Sequence, residues 1–265
     1  MLFVELILYL LQNLFQNMKS KIFLIVFSSL LLFSCRAKIG VAKVHTESNH
    51  IISSELKDDP AFDAVIAPYK KKLAATMNAV ISHTKVDLTK NGENSNLGNL
   101  LADYTFEGAA EWAKKNNKPA VDAAVINIGG IRSTIGKGNI LLRHVFEVMP
   151  FENEVVIMKL KGSDLQGLFD YYAKTQKNNP VSHLFIETEA GKITKESING
   201  EKIDPSKDYY IATSDYLAFG GDNMVFFKKG EMISTGIKLR DLFVEKFKEN
   251  PEVSAPEDVR VSFKK

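Results

Sequence analysis

The chain has 265 residues, a formal net charge of +2 at pH 7, 45% hydrophobic residues and a single cysteine. So even a charge balance argues against a nucleic-acid polymer as partner, which needs a concentrated basic surface. One cysteine excludes an internal disulfide, and a chain of this length buries enough core to do without one.

In chain order, Met18-Lys19-Ser20-Lys21 is a basic start, 22–33 is an apolar run, and Leu32-Phe33-Ser34-Cys35 closes it. The run is too short for a spanning helix, so 1–35 reads as a signal peptide ending in a bacterial lipobox, with Cys35 the lipidated residue. The apolar stretch 1–17 points to Met18 as the true start; a membrane span built from both runs is the competing reading. An exported lipoprotein, membrane-anchored on the periplasmic or cell-surface side, is therefore expected. Residues 36–58 are polar, lack an apolar period and carry His45 and His50. They read as a flexible tether whose ends lie roughly 25–30 Å apart.

From 59 to 265 the patterning is that of one folded domain. Residues 60–82 read as a helix with Lys70, Lys71 and Lys72 solvated. Ser95 or Asn96 caps a second helix, whose stripe is Leu97, Leu100, Leu101 and Tyr104. Asn99, among those leucines, is expected to be exposed or to hold a neighbouring loop. Run 121–127 alternates poorly, is largely apolar and reads as a buried strand, 155–160 reads as another, and 209–213 reads as a strand. Between them, 163–173 is a helix, 183–188 and 192–198 form a hairpin around Ala190-Gly191, and Asn199-Gly200 is a further turn. His144 is read as a helix-start residue facing solvent. An amphipathic helix over 237–247 and a strand over 259–263 close the chain. Irregular interleaving of helices and strands predicts an α+β (mixed α/β) fold, a mixed sheet packed by helices.

Two turns carry the chemistry. Asn127-Ile128-Gly129-Gly130-Ile131-Arg132 and Ser214-Asp215-Tyr216-Leu217-Ala218-Phe219-Gly220-Gly221-Asp222 each follow an apolar run, pair two glycines and end on a charge. The first offers backbone N–H groups and a guanidinium, suited to phosphate or sugar oxygens. The second offers a carboxylate, suited to a vicinal diol. With Phe151 downstream of the first and Tyr216 inside the second, the set suggests a nucleoside or nucleotide. The competing structural readings are core packing for the two rings and a direct Arg132–Asp222 ion pair.

Both turns, with the segments 94–104, 145–165 and 198–222, resemble the C-terminal, substrate-recognition domain of the 5′-nucleotidase and UDP-sugar hydrolase family. The resemblance runs from about 90 to 263. It implies that Asn127 bonds the base or holds its loop, and that Arg132 donates to ribose or phosphate. It also implies that Phe151 and Tyr216 clamp the base and that Asp222 accepts from the ribose hydroxyls. Gly129 and Gly130 belong to the same site and, with Gly220 and Gly221, are read as conformational. The chain departs from the family pattern at Ile128, where a third glycine is usual, at Asn223, where glycine usually follows the acid, and at Tyr216, commonly phenylalanine. Lys90 or Asn91 stands near a usual arginine, and His183 either narrows the base pocket or lies on a surface strand.

In two-domain members of that family an N-terminal metallophosphatase domain binds two metals through Asp-x-His, Asn-His and His-x-His pairs. The histidines beyond the leader are His45, His50, His83, His144 and His183, and the only such pair, Asn49-His50, lies in the tether. No cofactor is expected on this chain, and divalent metals are expected on a partner metallophosphatase. Two readings follow. One is the recognition component of a split 5′-nucleotidase-type hydrolase acting with that partner chain on nucleoside monophosphates. The other is a stand-alone nucleoside- or nucleotide-binding lipoprotein without catalysis.

Overall fold

A computed structural model describes residues 59–265 throughout and, before them, residues 4, 5, 7–9, 12, 13, 43–46, 48, 49, 53, 56 and 57. Cys35, Met18 and most of the leader and tether lie outside the described residues. The chain divides into two compact units, Met1–Lys57 and Asp58–Lys265. Among the described residues no helix is long and apolar enough to cross a membrane. The folded core belongs to the second unit.

That unit opens with helix α1 (Pro60–Met77), capped by the Asp59 carboxylate accepting from the Ala61 N–H at 2.9 Å. The helix stops short of the expected 82. Asn78 caps it, and β-branched Val80 and Ile81 instead start strand β1 (Val80–Thr84), which pairs antiparallel with β3 (Gly138–Leu141). Helix α2 (Asn96–Lys115) is capped by the Ser95 hydroxyl, and its stripe of Leu97, Leu100, Leu101 and Tyr104 is buried. Asn99 is buried as well: its amide donates to the Asp258 carbonyl at 3.3 Å, holding the C-terminal segment.

A five-stranded sheet in the order β5-β2-β8-β4-β9 forms the centre, built from Val181–Ser182, Ala123–Val125, Asp208–Ser214, Glu154–Lys161 and Glu231–Lys238. β2 and β8 run parallel, while the other pairings are antiparallel, which makes it a mixed sheet. The middle residues of the central strands are mostly apolar because both faces are covered. On one face Val155, Ile157, Ala124 and Ala212 pack with α2 and with Phe243 and Phe247 of α6 (Leu239–Glu249). On the other, Val156, Met158, Leu160, Val125 and Ile211 pack with Leu165, Leu168 and Phe169 of α4 (Gly162–Thr175). That second core extends to β6 (Leu184–Glu189), β7 (Lys192–Ile198) and β10 (Val261–Lys264), a three-stranded sheet in the order β10-β6-β7.

The hairpin β6–β7 turns at Ala190 and Gly191, with φ of 49° and 74°, the paired left-handed geometry that matches strand twist. Sequence patterning misses β9 and places its last residues, Ile237 and Lys238, in the following helix. α6 starts at Leu239 instead. β9 is an edge strand with alternating partial burial, which leaves a weak apolar signal.

Candidate functional site

The topology gathers the two glycine turns. Because β2 and β8 are parallel neighbours, the chain leaves both at the same edge of the sheet. β4 runs antiparallel to β8, so the residues entering β4 arrive at that edge too, with Val155 opposite Ser214. β9 runs antiparallel to β4, with Lys238 opposite Glu154, so α6 also begins there. Segments 126–132, 149–153, 214–222 and Leu239 therefore meet around one cleft of about 370 Å³. That is large enough for a small polar ligand.

All seven residues expected at the site, Asn127, Gly129, Gly130, Arg132, Phe151, Tyr216 and Asp222, line this cleft. Phe151 is 42% exposed and Tyr216 44%, so neither ring is core packing; each keeps a free face. Ile126, Met149 and Leu239, all buried, form an apolar floor.

The first turn is a short 3₁₀ segment, Ile128–Gly130. Its N–H groups are largely spent inside the protein. Ile128 donates to the Asn179 side-chain oxygen at 3.0 Å, Gly130 to the Asn127 carbonyl at 3.0 Å, and Arg132 to the Val148 carbonyl at 2.9 Å. The turn thus offers fewer free N–H donors than its sequence suggests. Neither Gly129 nor Gly130 has positive φ, so their role is not conformational. What Gly130 provides is room: a Cβ there would sit 3.0 Å from the Asn127 Oδ1. Arg132 is exposed and donates one N–H to the Gly129 carbonyl at 3.2 Å, which leaves other guanidinium donors for a ligand. Among the described residues it makes no ion pair with Asp222. Lys90 donates to the Ile131 carbonyl at 2.8 Å and does not line the cleft, so it supports the turn instead of replacing a ligand-binding cation.

The second turn is left-handed through Gly220, Asp222 and Asn223, with φ of 87°, 51° and 65°. Asn223 thus takes the conformation usual for glycine, which asparagine tolerates better than most residues. Gly221 is needed for a different reason. A Cβ there would meet the Tyr216 ring at 2.5 Å, so the close approach of the backbone to the ring needs a glycine. The Tyr216 hydroxyl donates to Asp222 Oδ1 at 3.0 Å and accepts from the Asp222 N–H at 3.2 Å. A phenylalanine could make neither bond.

One lining residue, Asn153, escapes the sequence reading although it lies two positions after Phe151. Its amide donates to Asp215 Oδ1 at 2.8 Å, and that oxygen also accepts the Tyr216 N–H at 2.7 Å. Asn153 therefore ties the aromatic turn to β4, its main-chain carbonyl accepts from the Leu239 N–H at 2.8 Å, and its side-chain Oδ1 makes no hydrogen bond among the described residues. Ser214 caps the short helix α5 (Asp215–Ala218) through the Leu217 N–H at 3.3 Å.

His183 does not narrow this cleft. It lies in a separate depression with Asp103, Ser182 and Arg260, stacked on Phe106 at 3.7 Å between ring centroids. Its φ of 60° ends strand pairing before β6 begins. Burial lowers its pKa, partly opposed by the Asp103 carboxylate. His144 is the third residue of α3 (Leu142–Val148), half-buried instead of facing solvent. Its Nδ1 accepts from the Leu141 N–H at 3.2 Å, and burial lowers its pKa.

Residues 74–229 match the family model for the C-terminal domain of 5′-nucleotidase, and the chain belongs to that family. It is 26% identical over 201 residues to Protein UshA of Yersinia enterocolitica, covering 72% of this chain and 35% of that protein. It is 29% identical over 224 residues to the trifunctional nucleotide phosphoesterase protein YfkN of Bacillus subtilis, covering 74% and 14%. Among solved structures, the 5′-nucleotidase precursor from Thermus thermophilus superposes with a TM-score of 0.65 at 28% identity, over 77% of this chain and 43% of that one. The chain thus spans less than half the length of each of these relatives.

Proposed function

We propose that the cleft binds a nucleoside or nucleoside monophosphate, and that the domain is the recognition component of a 5′-nucleotidase-type phosphomonoester hydrolase. The observation that carries this reading is the pair of half-exposed rings, Phe151 and Tyr216, on one cleft with a carboxylate and a guanidinium. A base between the rings gains about 1–3 kcal/mol per stacking contact, with little regard for its identity. Asp222 accepts from the ribose hydroxyls, Arg132 donates to ribose or phosphate, and the Asn153 side-chain oxygen accepts from a base N–H.

Hydrolysis in this reading is supplied by a metallophosphatase unit on a separate chain. Among the described residues no group of three or more His, Cys, Asp or Glu could hold a metal ion. Export and lipidation at Cys35 would bring both chains to one membrane and raise their effective concentration.

Calorimetry of the full chain with adenosine, AMP and UDP-glucose tests the ligand class. Combining Phe151→Ala with Tyr216→Ala should abolish binding. Adenosine should bind at least about tenfold tighter than 2′,3′-dideoxyadenosine, the worth of a hydrogen bond to a charged group. Retained affinity in the double variant overturns the cleft assignment. Turnover of AMP with Mn²⁺ or Zn²⁺ should appear only when a metallophosphatase chain is added; robust turnover by this chain alone overturns the division of labour.

A further inference from the structure

Helix α1 is an 18-residue helix in which no residue is buried, although it carries a continuous apolar stripe. Phe62 is 71% exposed, Tyr69 75% and Leu73 59%, with Ile66 half-buried beside them. A helix interrupted by Pro68 and carrying β-branched Val65 and Ile66 is intrinsically weak, and such helices are held by packing of their apolar face. The rest of its own domain does not supply that packing.

The spacing of the stripe identifies what does. Asp59, Phe62, Ile66, Tyr69, Leu73 and Thr76 alternate in steps of three and four, the seam of a two-helix coiled coil. The seam is also symmetric about its midpoint. A two-fold axis crossing α1 between Ala67 and Pro68 sets Phe62 against the second copy's Leu73, and Ile66 against its Tyr69. The same axis sets the N-terminal Asp59 against the second copy's Thr76. Asp63 and Lys70 flank the stripe on one side and already pair with each other within the helix at 3.8 Å. Pro68 lies off the stripe and does not obstruct the approach. A parallel pair would instead juxtapose two Asp59 carboxylates and align two helix dipoles.

From this pattern we infer that α1 is a self-association element: two copies of the chain join through an antiparallel α1–α1 pair. The interface is isologous, as a closed two-fold requires. Two aromatic and two aliphatic side chains per copy bury on the order of 1,000 Å² in total, at the low end of specific interfaces. The dimer is therefore reversible and concentration-dependent. The inference is independent of the nucleotide reading, since α1 contributes nothing to the cleft lining.

Sedimentation of the full chain in detergent, over a wide concentration range, should show a monomer–dimer equilibrium. Phe62→Ser or Tyr69→Ser should raise its Kd about tenfold or more, because central aromatic anchors dominate such contacts. Both side chains are exposed, so circular dichroism and ligand affinity should stay unchanged. Direction is read by disulfide trapping in the same detergent solution, in a Cys35→Ser background. Phe62→Cys and Leu73→Cys copies should cross-link to each other when mixed, and neither to itself. A monomer at every concentration, a dimer indifferent to the α1 variants, or self-linking of Phe62→Cys overturns the inference. So does a monomer whose α1 variants lose binding to phosphatidylcholine vesicles, which would give the stripe to the lipid surface.

Discussion

Tyr216 has two functions at one position. Its ring faces the cleft, and its hydroxyl bridges the Asp222 carboxylate and N–H at 3.0 and 3.2 Å. Asp222 sits at φ 51°, a conformation costly for a non-glycine residue. The hydroxyl therefore holds a strained acid in one orientation, at the expense of one of its lone pairs; on the proposed reading that is the acid that meets the ribose diol. Tyr216→Phe should leave base stacking intact while lowering the preference for adenosine over 2′,3′-dideoxyadenosine by about three- to tenfold, the worth of a net hydrogen bond. Calorimetry with the two ligands reads this directly; equal discrimination in variant and parent would show that the bridge does not orient the acid. Phe151 and Asn153 share the opposite wall, and Asn153 reaches the aromatic turn through Asp215.

At the scale of elements, the cleft depends on how β4 and β9 are pinned beside it. Glu154, the first residue of β4, accepts from the Ser234 hydroxyl at 2.5 Å and from the Gly236 N–H at 2.8 Å, across an irregular step in the pairing of β4 with β9. The Ser234 bond first, and the Gly236 N–H second, hold its carboxyl below the ordinary glutamate range. Its folded pKa is thus lower than its unfolded one, and the unfolded state binds more protons between the two. The stabilisation is complete above pH ~4.3, the ordinary glutamate value, and is lost as pH falls through the folded value. Glu154→Gln should lower Tm at pH 7 and flatten its decline below pH ~4.3. Thermal melts across about pH 3–7 check both, the range that spans this titration; parallel curves for parent and variant would remove Glu154 from the acid response.

At the scale of the whole molecule, the C-terminus is fastened to the domain by Arg260. Its guanidinium meets both Asp103 oxygens at 2.7 and 2.8 Å, Asp258 at 2.7 Å and the Val181 carbonyl at 2.8 Å. Burial opposes its charge, but the Asp103 and Asp258 bonds prevail and raise its pKa. This clasp joins β10 to α2 and β5, three segments far apart in sequence. Arg260→Ala leaves the Asp103 carboxylate, itself mostly covered, without its partner. Losses of this kind cost about 3 kcal/mol, or roughly 6–12 °C in Tm for a domain of this size. Chemical and thermal unfolding of the variant check it, and a Tm change within about 1 °C would show that the clasp adds nothing.

The residues of the cleft were legible in the sequence because ligand-facing turns advertise themselves. Paired glycines, a charge and an aromatic must lie close along the chain to form one wall. Helix caps and hairpin turns were legible for the same reason, since Ser95 and Ala190-Gly191 act within a few residues of themselves. What belongs to partners distant in sequence was not. The end of α1 at Met77 was decided by the pairing of β1 with β3, and β9 exists because β4 offers it an edge. Asn153 acquires its place only through Asp215, and His183 loses a place in the cleft because its chain turns toward Arg260. Sequence by itself determined which polar and aromatic groups the two turns carry; tertiary structure alone decided that parallel β2 and β8 deliver them to one edge. The physical reason is that turn chemistry acts over a few bonds, whereas strand order is set by burying both faces of a sheet at once.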